Sequence, residues 1–249
     1  MILTIGLREF KSLFLSPLAW SILAVVQVIL GFLFLSRLEV FQLYQPQLMA
    51  MDGAPGLTEI VLPDLLGNAA VILLLVVPLL TMRVMAEERR NRTLALLFSA
   101  PLSMTEIVLG KYVGILLFLL VLLLMIALMP LSLLAGASLD LGLVASGFLG
   151  LALLLAGFAA VGLFMSTLTQ YTTVAAISTF GALLLFWILD WSGQGIAGGN
   201  WLAYLSLFNH YKPFLEGIFD SADAAYHILV IVTFLVLSIR RLDADRLGG

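Results

Sequence analysis

The 249-residue chain is 62% apolar and only 11% charged, with a formal net charge of -3. So little charge cannot cover the surface of a soluble domain, and the composition therefore predicts an all-α, polytopic membrane protein. Because the chain has no cysteine and only two histidines, we expect no disulfide framework, no thiolate site and no metal centre.

The first element in chain order is a predicted amphipathic helix over residues 3–14. Its apolar residues are Leu3, Leu7, Phe10 and Phe14, and its polar residues are Thr4, Arg8, Lys11 and Ser12. Two interpretations stay open. Either the helix lies in the membrane interface, or the basic residues only fix the orientation of the span that follows.

Six apolar stretches approach the length of about 20 residues that a helix needs to cross roughly 30 Å of hydrocarbon. They run from Pro17 to Ser36, Leu65 to Met85, Glu106 to Leu134, Leu141 to Leu168, Thr173 to Trp191 and Ala222 to Ile239. Ser16 and Pro17 suit the start of the first helix. No small-residue cleavage pattern follows that helix, so we interpret it as a retained span rather than a signal peptide.

The lysines and arginines orient this six-span arrangement. Arg37 and Lys212 fall on one side of it. All the others fall on the opposite side, namely Arg8, Lys11, Arg83, Arg89, Arg90, Arg92, Lys111, Arg240, Arg241 and Arg246. The basic side faces the cytoplasm, which places both termini there.

The span interiors contain no deep charged side chain, whereas ion-coupled carriers usually need one. Gln27, Asn68 and Thr81 are the candidates for a translocation pathway or for interhelical hydrogen bonds. We favour the hydrogen bond for Gln27, near the middle of its helix. Asp190 and His227 lie near outer span ends, where we expect them to be solvated and structural.

Small residues share one face of the fourth stretch, at Gly142, Ser146, Gly150 and Gly157. Spacings of four and seven residues permit close approach between helices. The partner is either another part of this chain, which we favour, or a second subunit.

Residues 192–223 are rich in glycine and then in aromatic side chains. This composition predicts an interfacial belt with one or two short re-entrant or interfacial helices before the sixth span. The aromatic residues either anchor the chain or line a gate.

The densest charge cluster in the chain lies between the second and third spans, from Met85 to Pro101. An amphipathic segment between two membrane-length helices suits the transmission of motion from a soluble cytoplasmic partner. Its arginines are either contacts for that partner or simple orientation anchors. Gly110 and Lys111 do not end a phosphate-binding loop, because Tyr112 replaces the required Ser or Thr.

Three motifs resemble the membrane permeases of ABC-2 type transporters, especially the compact branch related to the nitrous-oxide-reductase maturation and gliding-motility permeases. The first is the Glu87 to Leu94 cluster with Leu97, Ser99 and Pro101, and the second runs from Glu106 to Lys111. The third runs from Asn209 to Asp220 and precedes a last span that ends in two arginines. The chain departs from the family pattern at Arg92 and Ala95, where Gly and Glu are usual, so Glu87 and Glu88 would have to supply the acidic contact.

The resemblance implies a cytoplasmic coupling helix that binds separate ABC ATPase subunits, which would hold ATP and Mg while this chain holds no cofactor. The implied coupling residues are Glu87, Glu88, Arg89, Arg90, Arg92, Thr93, Leu94, Leu97 and Pro101. It also implies a second permease copy or a homologous permease subunit, contact with membrane lipids, no nucleic acid, export and a prokaryotic cytoplasmic (inner) membrane.

Two other classes remain as alternatives, an ion-coupled secondary carrier and a membrane-embedded lipid-processing enzyme. The enzyme would need a cluster of carboxylates, histidines or a nucleophile with its base, and the sequence offers none, so we expect no catalytic residues. An apolar pathway favours an amphipathic or hydrophobic substrate.

Overall fold

The computed structural model describes residues 1–48, 56–91, 93, 103–135, 139–190 and 204–248, and these fold into helices without a strand. Four predicted coupling residues, Arg92, Leu94, Leu97 and Pro101, lie outside the described residues. The glycine-rich part of the predicted outer segment, up to residue 203, lies outside them as well.

Among the described residues, five helices are long and apolar enough to cross a membrane. They are α2 (Pro17–Leu48), α3 (Leu57–Thr81), α5 (Met104–Ser132), α6 (Leu141–Leu168) and α9 (Ser221–Gly248). The shorter apolar helix α7 (Thr172–Ile188) has 17 residues. The described residues also form α1 (Ile2–Leu15), α4 (Ala86–Arg90) and α8 (Lys212–Leu215).

The helix boundaries differ most from the predicted spans at three ends: α2 continues past Ser36 to Leu48, α3 begins at Leu57 rather than Leu65, and α9 continues past Ile239 to Gly248. The extended parts contain polar residues, so an apolar stretch shows the membrane-length core of a helix but not its ends. Local capping sets other ends. Asp140 accepts hydrogen bonds from the first backbone N–H groups of α6, at Gly142 (2.8 Å) and Leu143 (3.2 Å).

Helix α6 lies at the centre of the bundle, because it packs against α3, α5, α7, α8 and α9. Two of its glycines let α3 approach closely. A Cβ at Gly147 would lie 2.5 Å from Leu66 Cδ1, and one at Gly162 would overlap the Thr81 side chain. Neither glycine belongs to the face of small residues that the sequence predicts for helix packing.

The N-terminal helix α1 packs along the start of α5. A Cβ at Gly110 would lie 2.7 Å from Ile5 Cβ, and one at Gly114 would lie 2.6 Å from Glu9 Cβ. Because α5 has glycine at both positions, the two backbones come close enough for side chains at their edges to form ion pairs.

Large apolar side chains are exposed along the outer faces of the long helices. Examples are Val28, Phe32, Leu124, Leu128 and Leu229, each more than half exposed. Such continuous apolar faces are expected where helices contact lipid rather than water. The chain is thus a multi-pass α-helical membrane protein.

Candidate functional site

The chain turns after α3, and a buried hydroxyl group helps to hold this turn. Ser166, at the end of α6, is fully buried. Its Oγ accepts hydrogen bonds from the backbone N–H groups of Met85 and Ala86, both at 3.0 Å, and donates one to the carbonyl of Met82 at 3.2 Å. Ser166 thus satisfies N–H groups that the first turn of α4 leaves without helical partners.

Lys111 of α5 joins three helices through its ammonium group. Its side chain is only 5% exposed. The Nζ donates to the carbonyl of Val84 at 2.8 Å and to Glu9 Oε2 of α1 at 3.3 Å, and it forms an ion pair with Glu88 Oε1 of α4 at 2.8 Å. Three oxygen atoms thus surround the ammonium, and a charge that is paired and hydrogen-bonded in this way is tolerated when buried.

A second ion pair connects α4 to the last helix. The guanidinium of Arg89 pairs with Asp245 of α9, and Asp245 also lies 3.5 Å from Arg241 Nη2. We call the set Glu9, Val84, Glu88, Arg89, Lys111, Ser166 and Asp245 the charged junction. It joins the segment after α3 to α1, α5, α6 and α9.

The structure divides the predicted coupling residues into two groups. Glu88 and Arg89 point inward and belong to the charged junction. Glu87 and Arg90 are exposed and form no ion pair within the described part of the chain. Thr93 donates from Oγ1 to the carbonyl of Glu88 at 3.3 Å, which prolongs the end of α4.

Sequence reasoning missed the structural role of Lys111, which it used to orient the spans and as the last residue of the second family motif. It also missed Glu9, Ser166 and Asp245 as partners. One signal was present: Lys111 lies within an apolar stretch between Gly110 and Gly114, where another backbone can approach.

Two of the three polar residues predicted inside the spans bond within their own helix. Asn68 donates to the carbonyl of Asp64 (2.8 Å) and Thr81 to that of Val77 (3.0 Å), both within α3. Gln27 Nε2 is buried and has no hydrogen-bond partner among the described residues. The expected interhelical bond from this amide nitrogen is therefore not made within the described chain.

At the opposite end of α6, the predicted face of small residues contacts the segment before α9. Ser146 Oγ donates to the carbonyl of Phe214 at 3.1 Å, and a Cβ at Gly150 would lie 2.5 Å from Phe214 Cβ. Gly157 lies beside Leu207, whereas Gly142 meets only its own capping residue. This face contacts residues of the same chain, in a short non-spanning segment rather than a membrane-length helix.

A histidine anchors the same segment to the start of α9. His210 Nδ1 lies 2.6 Å from Asp223 Oδ1, and His210 Nε2 lies 2.8 Å from the carbonyl of Tyr204. The imidazole stacks on Tyr226, with ring centroids 4.0 Å apart. We call residues 204–215 with these contacts on α9 the outer cap.

The expectation that Asp190 and His227 are solvated is wrong. His227 is fully buried, and neither ring nitrogen has a hydrogen-bond partner among the residues that the structure describes. The Asp190 side chain is only 9% exposed and both of its oxygens lie 2.8 Å from Lys212 Nζ. The physical reason is that the outer cap folds back over these helix ends.

Within the described ranges, no three His, Asp or Glu side chains form a group that could hold a metal ion. The site consists instead of a short charged helix that the contacts of the charged junction connect to four other helices. This arrangement, in a bundle of membrane-length helices, is suited to mechanical coupling.

The description "ABC-2 family transporter protein" belongs to the family model that matches residues 3–247. The chain therefore belongs to the ABC-2 transporter family, and it is the membrane permease component of an ABC transporter, a class that works with ABC ATPase subunits. A search of curated proteins finds no match.

Proposed function

We propose that this chain is a half-transporter permease of an ATP-driven exporter in a prokaryotic cytoplasmic membrane. Two copies, or one copy with a homologous subunit, form the pathway, and each binds a cytoplasmic ATPase through α4 and the residues that follow it. ATP and Mg belong to the ATPases. Family membership and the one-sided distribution of basic residues support this proposal.

The topology of the proposal has six spans, with both termini in the cytoplasm. The five long helices supply five spans, and α7 supplies the sixth. At 17 residues, α7 lies at the lower limit for a spanning helix, about 17–25 residues. On this topology the charged junction lies on the cytoplasmic side, and α1 lies along the same membrane surface.

The single observation that carries the proposed coupling is the attachment of α4 to its neighbours. Lys111, Arg89 and Ser166 tie this short helix to α1, α5, α6 and α9. Close-packed contacts transmit displacement rather than absorb it. A partner that moves α4 would therefore move several membrane helices together.

The exposed side chains of α4 define the part of this segment that faces a partner. Glu87 and Arg90 have no ion pair in the described part of the chain, so they are free to form pairs with an ATPase. Glu88 and Arg89, which the sequence places in the same group, instead hold the segment in place. We assign docking to the first pair and positioning to the second.

The test exchanges the two exposed charges with Glu87→Lys and Arg90→Glu together, which keeps the net charge. We expect the tagged chain to retain less of the co-purifying ATPase and to lose vanadate-sensitive ATP hydrolysis. Glu216→Lys is the control for a charge reversal elsewhere, because Glu216 is also exposed but lies in the loop after α8. Unchanged association and unchanged hydrolysis in the exchanged variant would contradict the assignment of docking to Glu87 and Arg90.

An ion-coupled carrier is the second candidate, and the buried imidazole of His227 favours it, because both nitrogens lack described partners. Transport by such a carrier would stop with a protonophore and continue after ATP depletion. The exporter shows the opposite pattern.

A further inference from the structure

We propose that the outward face of α1 binds the headgroups of anionic phospholipids. This face consists of Leu3, Leu7, Arg8, Lys11, Ser12 and Leu15, all of them exposed, which border a shallow groove along the helix. It faces away from the helix bundle. The proposal does not depend on the identity of the transported substrate or on ATPase docking.

The position of α1 places this face at a membrane boundary. Only Ser16 separates α1 from the apolar helix α2. Trp20 Nε1 donates to the carbonyl of Phe14 at 2.9 Å, and the two rings meet edge to face at 5.5 Å. These contacts fix the angle between α1 and α2, so α1 cannot swing away from the surface where α2 enters the membrane.

The inward face of α1 is already occupied. Gly6 is buried against α5, and Glu9 pairs with Lys111. Glu9 is the one acidic residue of α1. Its engagement with Lys111 leaves the outward face with two cations and no carboxylate.

The chemistry of the outward face matches an anionic headgroup more closely than a zwitterionic one. Arg8 and Lys11 form no ion pair with any residue that the structure describes. Leu3 and Leu15 are 70% and 85% exposed, and they can enter the acyl region while the cations stay at the level of the phosphates. Without a carboxylate, the face offers nothing for the ammonium of a zwitterionic lipid.

The apolar residues also decide between lipid and protein as the occupant. An acidic soluble protein would satisfy Arg8 and Lys11 but would have to cover leucines that continue into the apolar surface of α2. A lipid satisfies both features at once, and each basic side chain near an anionic surface favours association by about fivefold.

Quenching of Trp20 by brominated lipids tests the proposal. The intact chain is given Trp187→Phe, Trp191→Phe and Trp201→Phe, so that Trp20 is its one remaining tryptophan. It is reconstituted in vesicles of phosphatidylcholine with brominated phosphatidylglycerol, or with brominated phosphatidylcholine as the reference. We expect phosphatidylglycerol to be enriched beside Trp20 by about fivefold or more.

Variants identify the side chains responsible. Arg8→Gln with Lys11→Gln should abolish the enrichment, so that the ratio of the two lipids beside Trp20 is about 1. Arg8→Lys with Lys11→Arg should retain the enrichment. Arg240→Gln with Arg246→Gln removes the same charge from α9 and should leave the enrichment beside Trp20 unchanged. If the single-tryptophan chain does not fold, the specific quenching is measured as the difference between wild type and Trp20→Phe.

Two results would overturn the proposal. One is equal quenching by the two brominated lipids in the chain with Arg8 and Lys11 intact. The other is enrichment that persists after Arg8→Gln with Lys11→Gln, which would assign the anionic lipids to another surface.

Discussion

The charged junction and the outer cap lie at opposite ends of α6, and they hold the chain by different means. At the junction, Lys111 and Arg89 connect α4 to three helices through ion pairs. At the cap, Phe214 packs against Gly150, and His210 lies between aromatic rings. The junction thus links many elements through few atoms, whereas the cap seals helix ends through packing. Motion of a partner should pass through the junction, and the cap should contribute mainly stability.

The largest effect should come from Lys111→Met. This change leaves the Glu9 and Glu88 carboxylates without their cation, and breaking a buried pair from one side costs about 3–5 kcal/mol. We expect a large fall in the thermal unfolding midpoint of the detergent-purified chain and loss of partner-dependent ATP hydrolysis. Lys111→Arg keeps the charge and should recover part of both. Normal stability in Lys111→Met would mean that the junction does not hold the helices together.

Gly150→Ala should destabilise the cap end by about 1–3 kcal/mol, because the added methyl group overlaps Phe214. Gly181→Ala is the matched control, since a Cβ there meets nothing within 4 Å and alanine favours the helix. The contrast between the outer cap and the charged junction is supported if Gly150→Ala lowers the unfolding midpoint but leaves ATPase association unchanged. Lost association would show that the two ends are coupled.

Ser166→Ala should cost about 1–3 kcal/mol, because it leaves the N–H groups of Met85 and Ala86 buried without a partner. Ser178→Ala is its control, as the Ser178 hydroxyl donates to the carbonyl of Ala175 in its own helix. Hydrogen exchange at residues 85 and 86 should rise only in the first variant. Equal protection in both variants would count against the capping role.

The smallest effect should come from Arg89→Gln and Asp245→Asn. Lys111 is 5% exposed and holds two carboxylates, whereas Arg89 and Asp245 are each about one-fifth exposed. Asp245 also lies near Arg241, so we expect a smaller coupling energy for this pair of Arg89 and Asp245. A double-mutant cycle on unfolding midpoints measures it. A coupling as large as that of Lys111 would contradict the ranking of contacts within the junction.

Much of the helical framework could be predicted from composition and apolar run length. The stretch from Leu141 to Leu168 coincides with α6, and the charged segment after the second stretch does contain α4. Helix ends such as those of α2 and α3 could not be predicted in this way, because polar residues continue these helices beyond their apolar cores.

The side-chain partners could not be predicted, because they join distant parts of the chain. Ser166 bonds to Met85 across 81 residues, and no local periodicity indicates that contact. His227 was misplaced for a related reason: its position near a helix end suggests solvation, but it is fully buried, and His210 of a separate segment lies near it. Likewise, nothing in the spacing of Glu87 to Arg90 shows which two charges face the bundle.

The absence of cysteine makes one labelling experiment the most direct test of the coupling account. Glu87→Cys, Glu88→Cys and Arg90→Cys are made one at a time, and inside-out membranes are treated with a charged maleimide with and without bound ATPase. The account predicts rapid labelling at positions 87 and 90 that the ATPase blocks, and slow labelling at position 88 in both states. Equal labelling at the three positions, or no protection by the ATPase, would contradict it.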